Sequence, residues 1–237
     1  MAALSAGTGP LLALTFALAY LTGSIPFAYV IVRLVTGDDV TEHGTGNVGA
    51  MNVRRSTGSW TWFTVAMLAD ALKGIVSVAV AKALAAGSVA SIIIPAGVLM
   101  GDAARPGAAA LAMSALAGAV LGHNYSCWMA LIKRRFHRTG KGLATGGGAL
   151  LIYDWRYFVI VISVGLLFIA LTRYMMAGQV AASLALPVAA ILLGSPDWPF
   201  ALAMGLIVYA AHHRRFMGML RGEEPRLYVN DSMGPRG

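Results

Sequence analysis

Charge is what this sequence has least of. Asp, Glu, Lys and Arg make up 12% of the 237 residues, against 58% hydrophobic, whereas roughly a quarter of an average globular chain is charged. So few charges cannot cover the surface of a soluble domain of this length, and a mean hydropathy of +0.71 points to an integral membrane protein. Cysteine is nearly absent too. Cys127 alone excludes disulfide frameworks, CxxC redox pairs and thiolate metal clusters by counting. No His, Asp or Glu cluster has metal-ligand spacing, so neither a metal nor a cofactor is expected. Acidic residues are scarcer than basic ones, 10 against 18, giving a net charge of +8. The basic residues lie between apolar runs rather than on one solvated face, which argues against nucleic acid and for membrane lipids or anionic substrates.

What is abundant is apolar sequence. Runs extend over about 11–35, 60–85, 88–100, 107–132, 143–153, 157–172, 174–194 and 199–211. A helix needs about 20 residues to cross the hydrocarbon, so 88–100 and 143–153 are too short to span alone. The first run follows no basic segment, unlike a cleaved signal peptide, and is kept as the first span. Arg33, Arg54, Arg55, the set Lys133 to Lys141, Arg173 and the set Arg214 to Arg226 fall on one group of connections, expected to face the cytoplasm. The other connections carry only Arg105 and Arg156, with Trp155 and Trp198 as interface anchors. An even number of crossings must separate loops on one face. That holds if 88–100 does not cross independently and 143–153 crosses as a short, protein-enclosed helix. The expectation is an all-α integral membrane protein of about seven transmembrane helices, N-terminus outside and C-terminus cytoplasmic. One polytopic domain covers 1–227, followed by a polar tail, 228–237.

The polar residues gather in three places. The first, "HGTGNVG" (His43–Gly49), contains a literal G-x-G-x-x-G. A dinucleotide fold would need a strand before it and a helix after it; a polar loop precedes it, and the chain then runs into a membrane span. What survives is the chemistry of glycine, which lets consecutive backbone N–H groups converge on an anion. Arg54 or Arg55 adds a bidentate clamp. The second place is "GHNYS" (Gly122–Ser126) and the basic stretch leading to Thr139-Gly140-Lys141-Gly142. Lys141 at the edge of a helix joins a point charge to that helix's positive end. The third is His212-His213-Arg214-Arg215, closing the last apolar run. Three such sets on one inferred face suggest a shared anion site.

Together, "GSIPFAY" (Gly23–Tyr29), "GTGNVGAMNVRR" (Gly44–Arg55), "LADALKG" (Leu68–Gly74), "GHNYS", "GKGLATG" and "HHRRFMGMLRGEEP" resemble the bacterial acyl-phosphate:glycerol-3-phosphate acyltransferase family, the PlsY family. The resemblance implies a seven-span inner-membrane enzyme with its site on the cytoplasmic side. Such an enzyme moves an acyl chain from acyl phosphate to the sn-1 hydroxyl of glycerol 3-phosphate, giving lysophosphatidic acid and inorganic phosphate, the first step of phospholipid synthesis. It also implies a functional link to a soluble enzyme that makes acyl phosphate; oligomeric state is not legible. Carried over residue by residue, the implied catalytic set is His212, Lys141 and Arg55. The implied substrate-binding set is Gly44, Thr45, Gly46, Asn47, Gly49, Asn52, Ser24, His123, Gly140, Gly142, Gln179 and Arg215. His212 is implied to bind the acceptor, whose own phosphate serves as base, with a direct general-base role for His212 as the alternative.

This sequence departs from the family pattern at Met51, Arg138-Thr139, Gln179 and Arg215, and it carries extra basic residues between Ser126 and Lys141. Those departures leave open a diverged enzyme with another phosphate-bearing acceptor. A small transporter is the reading from a different class, although no internal repeat supports it. Plainer roles stand beside the functional ones. Asp70 and Lys73, three apart, form a structural ion pair on one helix face. Ser24 and Pro26 shape a helix end or line the substrate, and His123 holds a helix terminus or touches substrate. Arg134, Arg135 and Arg138 set topology and meet lipid headgroups, or recruit a partner that delivers acyl phosphate.

Overall fold

A computed structural model describes residues 8–87, 107–223 and 226. Among the described residues there are helices and turns and no strand. The apolar piece at 88–100 and the tail at 228–237 lie outside the described residues. The chain forms two compact units, one up to Asp154 and one from Trp155.

In the first unit, the run at 11–35 is two helices rather than one, α1 (Thr8–Gly23) and α2 (Phe27–Thr36). Pro26 has no N–H to give a continuing helix and biases Ile25 away from helical dihedrals, so the chain breaks there. Gly37, at φ +77°, closes α2. A single 3-10 turn, Val40–Glu42, leads into the glycine loop. α3 (Ala50–Thr57) then ends at Gly58, and the Ser59 side chain accepts the Trp62 N–H to start α4 (Trp60–Ala86). The run at 107–132 is also divided, into α5 (Ala108–Asn124) and α6 (Cys127–Lys133), with Ser126 capping the second. The short α7 (Leu143–Tyr153) completes the unit. The second unit contains α8 (Trp155–Thr172), α9 (Met175–Leu192) and α10 (Trp198–Leu220). α10 runs nine residues past the apolar boundary at Ala211. The charged His212–Arg215 segment is therefore helical, not a loop, because nothing in it interrupts the backbone ladder.

Among the described residues, four helical stretches are long and apolar enough to cross a membrane: Gly9–Thr36, Trp60–Ala86, Trp155–Thr172 and Met175–Leu192. α5 and α7 are shorter, at 17 and 11 residues, and α10 carries the basic segment His212–Arg215 within it.

Helix contact in the first unit depends on missing side chains. On α5, a Cβ at Gly118 would lie 2.5 Å from the Phe16 carbonyl oxygen, and one at Gly122 would lie 2.2 Å from that of Tyr20. α7 meets α4 in the same manner: a Cβ at Gly74 would be 2.0 Å from the Thr145 oxygen, and one at Gly148 would be 2.1 Å from the Ala71 oxygen. Lipid-embedded helices gain little from hydrophobic exclusion, so close backbone approach at small residues supplies the packing. Under the glycine loop, Ala28, Val32, Val40, Val48, Val53, Ala66 and Met129 form one buried cluster.

Candidate active site

The first loop is organised by Asn52. This side chain, 2% exposed, donates from Nδ2 to the carbonyls of Val40 (2.7 Å) and His43 (2.9 Å), and Oδ1 accepts the Thr45 N–H at 3.4 Å. Its polar atoms are thus engaged in shaping the loop. Gly44 and Gly46 take positive φ, +53° and +68°. A Cβ at Gly44 would also sit 2.4 Å from Asn52 Oδ1 and 2.9 Å from Arg55 Cδ. The two arginines, which loop chemistry alone left interchangeable and the family resemblance resolved to Arg55, differ in their packing. Arg54 is buried, with its guanidinium 4.0 Å from the Trp60 ring centre, whereas Arg55 lays its stem against the loop. Thr45 is exposed; Asn47 and Gly49 are half-buried.

The loop is tied down at its start by Asp39, which accepts from the Thr41 N–H (2.9 Å) and hydroxyl (2.6 Å) and pairs with Lys133. Burial pushes the Asp39 carboxyl up, but the hydrogen bonds from Lys133 and Thr41 outweigh it and leave it below the usual carboxylate range. The same hydrogen bond from the other side raises the Lys133 ammonium.

The second loop lies against the first. The Val48 N–H donates to the Thr139 carbonyl at 2.7 Å. Thr139 and Gly140 in turn donate their N–H groups to the Asn124 carbonyl, at 2.8 and 3.4 Å, and the Thr139 hydroxyl accepts the Ser126 N–H at 3.2 Å. Gly142, at φ +73°, is the N-cap of α7, so Lys141 stands at the positive end of that helix. Next to this loop, Asn124 Oδ1 and Thr145 Oγ1 are buried without a hydrogen-bond partner among the described residues. Sequence reasoning assigned neither a role. "GHNYS" and "GKGLATG" contained both, but only the fold shows that their oxygens face inward unused.

Behind the loops lies a buried ionic network. Lys73 Nζ is 2.9 Å from Asp70 Oδ1, 2.9 Å from the Ile25 carbonyl and 3.1 Å from His123 Nδ1, which forms the expected ion pair and adds a third member. An ammonium only donates, so Nδ1 accepts and the ring proton of the neutral imidazole lies on Nε2. A Cβ at Gly140 would be 2.3 Å from that Nε2, so the imidazole edge is packed on the second loop. Ser24 is equally engaged. Its hydroxyl accepts the Cys127 N–H at 3.4 Å, and its carbonyl accepts from the Ser126 hydroxyl. The gap bounded by Ser24, Lys73, His123, Ser126 and Thr139 has room for about one water molecule.

The third polar set is carried by the second unit. His212 is 1% exposed, and its Nδ1 lies 2.7 Å from the Val208 carbonyl. A carbonyl only accepts, so Nδ1 bears a proton and Nε2 is the acceptor nitrogen of the neutral ring. His213 is exposed and Arg215 half-buried. Gln179, on α9, has its Oε1 buried with no hydrogen-bond partner among the described residues.

Residues 13–222 match the model of one family, described as glycerol-3-phosphate acyltransferase. The chain belongs to that family. The glycerol-3-phosphate acyltransferase of Synechococcus sp. (strain JA-3-3Ab) is 37% identical over 210 residues, covering 88% of this chain and 89% of the relative. That of Thermus thermophilus is 36% identical over 215 residues, covering 90% and 94%. Two crystal structures of PlsY (YgiH), an integral membrane glycerol 3-phosphate acyltransferase, superpose on this fold. The glycerol 3-phosphate form gives a TM-score of 0.72 at 25% identity, covering 92% of this chain and 96% of that one. The lysophosphatidic acid form gives 0.70 at 25% identity, covering 95% and 99%. This glycerol-3-phosphate acyltransferase is accordingly an integral membrane enzyme. Its first unit brings together the expected residues of the first two sets; Asn52 shapes the first loop, whereas Ser24 bonds to Ser126 and Cys127 and His123 to Lys73.

Proposed function

We propose that this enzyme joins an acyl phosphate to glycerol 3-phosphate, giving 1-acylglycerol 3-phosphate and inorganic phosphate. The bonded pair of anion-suited loops, glycine-rich Gly44–Gly49 and cation-bearing Gly140–Gly142, carries this reading. An acyl phosphate is an activated mixed anhydride, so no protein nucleophile or coenzyme is required. The sn-1 oxygen attacks the carbonyl carbon, the carbon–oxygen bond to phosphate breaks, and the hydroxyl proton passes to the acceptor's own phosphate, whose second pKa is near 6. Arg55, Lys141 and the loop N–H groups hold the departing phosphate and the developing oxyanion. Thr45, Asn47 and Gly49 complete that cradle. His212 binds the acceptor through Nε2, with Gln179 Oε1 accepting from an acceptor hydroxyl and Arg215 adding charge. Holding both substrates together supplies the proximity contribution.

In this reading seven helices span the cytoplasmic membrane as a single domain, N-terminus outside, with both loops on the cytoplasmic side. A soluble enzyme supplies the acyl phosphate. The test is phosphate release from palmitoyl phosphate by the purified, detergent-solubilised protein. Release should require glycerol 3-phosphate and match lysophosphatidic acid formed. Lys141→Ala and Arg55→Ala should abolish it while still inserting into membranes. Turnover that persists in both variants overturns the assignment.

A further inference from the structure

The segment from α6 to the second loop, Cys127–Arg138, has chemistry that the acyl transfer does not use. One face of it is fixed. Met129 is fully buried in the cluster beneath the glycine loop, and Lys133 is paired with Asp39. The other face is apolar and cationic together. Leu131 is 71% exposed and Phe136 65%, with Trp128 and Ile132 beside them. Among them Arg134, Arg135 and Arg138 are all exposed, and none of the three guanidiniums is in an ion pair or side-chain hydrogen bond with the described residues. No acidic residue occurs between Asp102 and Asp154, so no carboxylate of the segment itself neutralises them. Two aromatic contacts stiffen the surface. Trp128 Nε1 donates to the Leu21 carbonyl at 3.1 Å, and the Tyr125 and Phe136 rings stack with centres 6.0 Å apart.

We infer that this face is a binding surface for anionic phospholipid headgroups. The observation that carries it is the interleaving. Apolar and aromatic side chains that alternate with unneutralised arginines match the headgroup–acyl boundary, where each kind finds its own partner. Arginine's fork also fits a lipid phosphate bidentately. A soluble acidic protein would satisfy the charges but would leave Leu131, Ile132 and Phe136 needing a complementary apolar pocket. The surface is distinct from the phosphate loops and does not depend on the acyl-transfer reading. Its ligand is a resident bilayer lipid rather than a substrate.

A cation at an anionic membrane strengthens binding about five-fold, so three together are worth roughly a hundred-fold. The full-length protein is placed in nanodiscs of phosphatidylcholine with about 30 mol% phosphatidylglycerol, released, and its retained lipids counted by native mass spectrometry. The wild type should retain phosphatidylglycerol in strong preference to phosphatidylcholine. R134Q/R135Q/R138Q should lose that preference at least ten-fold, and R134K/R135K/R138K should keep most of it. Raising salt on the wild type itself should erode the preference, which tests the inference even if a variant fails to fold. Equal retention of the two lipids by the wild type overturns it. So does an unchanged preference in the folded glutamine variant, or capture of a soluble acyl-phosphate-producing enzyme with indifference to phosphatidylglycerol.

Discussion

Val48 and Thr139, 91 residues apart in sequence, are joined by one backbone hydrogen bond of 2.7 Å. Through it, a loop shaped by Asn52 and a loop seated on His123 share a common position. Disturbing either support should therefore reach both loops.

Gly140→Ala tests the seat of the second loop. Its Cβ would fall 2.3 Å from the His123 ring and 2.6 Å from the His123 carbonyl oxygen, and the backbone atom cannot swing away. The loop must shift, and a misplacement of about 1 Å costs on the order of a hundred-fold in rate. Steady-state phosphate release should show that loss in kcat/KM, with membrane insertion unchanged.

Asp70→Asn leaves the Lys73 ammonium buried without its carboxylate. Removing one partner of a buried pair costs about 3–5 kcal/mol. Thermal unfolding in detergent should show a marked drop in Tm. Replacing both Asp70 and Lys73 with apolar residues of similar volume should restore much of it, since no charge is then stranded.

The Asp39–Lys133 tie should be insensitive to pH over a broad window. A lowered carboxyl pKa stabilises the folded loop above the unfolded value, about 3.9, and that contribution is lost as pH falls through the lowered value. A raised ammonium pKa stabilises it below about 10.4 and is lost as pH rises through the raised value. Amide exchange of Val40–Val48 should thus, after correction for intrinsic rates, keep constant protection from about pH 5 to 9. Asp39→Asn should lower protection throughout that window.

His212→Ala separates two roles. If Nε2 only binds the acceptor, KM for glycerol 3-phosphate rises while kcat falls little. If it takes the hydroxyl proton, kcat falls by about 10² to 10⁴ with KM nearly unchanged. The first outcome is expected.

The membrane class, the family and the residues of both loops were legible in the sequence, because each rests on composition or on local motifs. The glycine loop could be denied to a dinucleotide from its neighbours alone. Helix breaks were harder. The run at 11–35 reads as continuous by hydropathy, and only the backbone restriction at Pro26 divides it. Loop chemistry alone did not separate Arg54 from Arg55; the family resemblance chose Arg55, and the structure packs Arg54 against Trp60. Lys73 and Asp70 could be paired from their spacing, but His123 joined them only because α4 and α5 pack side by side. The inward-facing oxygens of Asn124 and Thr145 carried no local signal at all.

The glycine seams of α5 against α1 and α7 against α4 have an evolutionary corollary. At those seams any missense change adds at least a methyl group where a carbonyl already lies within 2.5 Å, while exposed leucines such as Leu72 and Leu171 can be exchanged for other apolar residues at little cost. Sequence drift in this enzyme is thereby channelled outward, onto the surface that meets the bilayer.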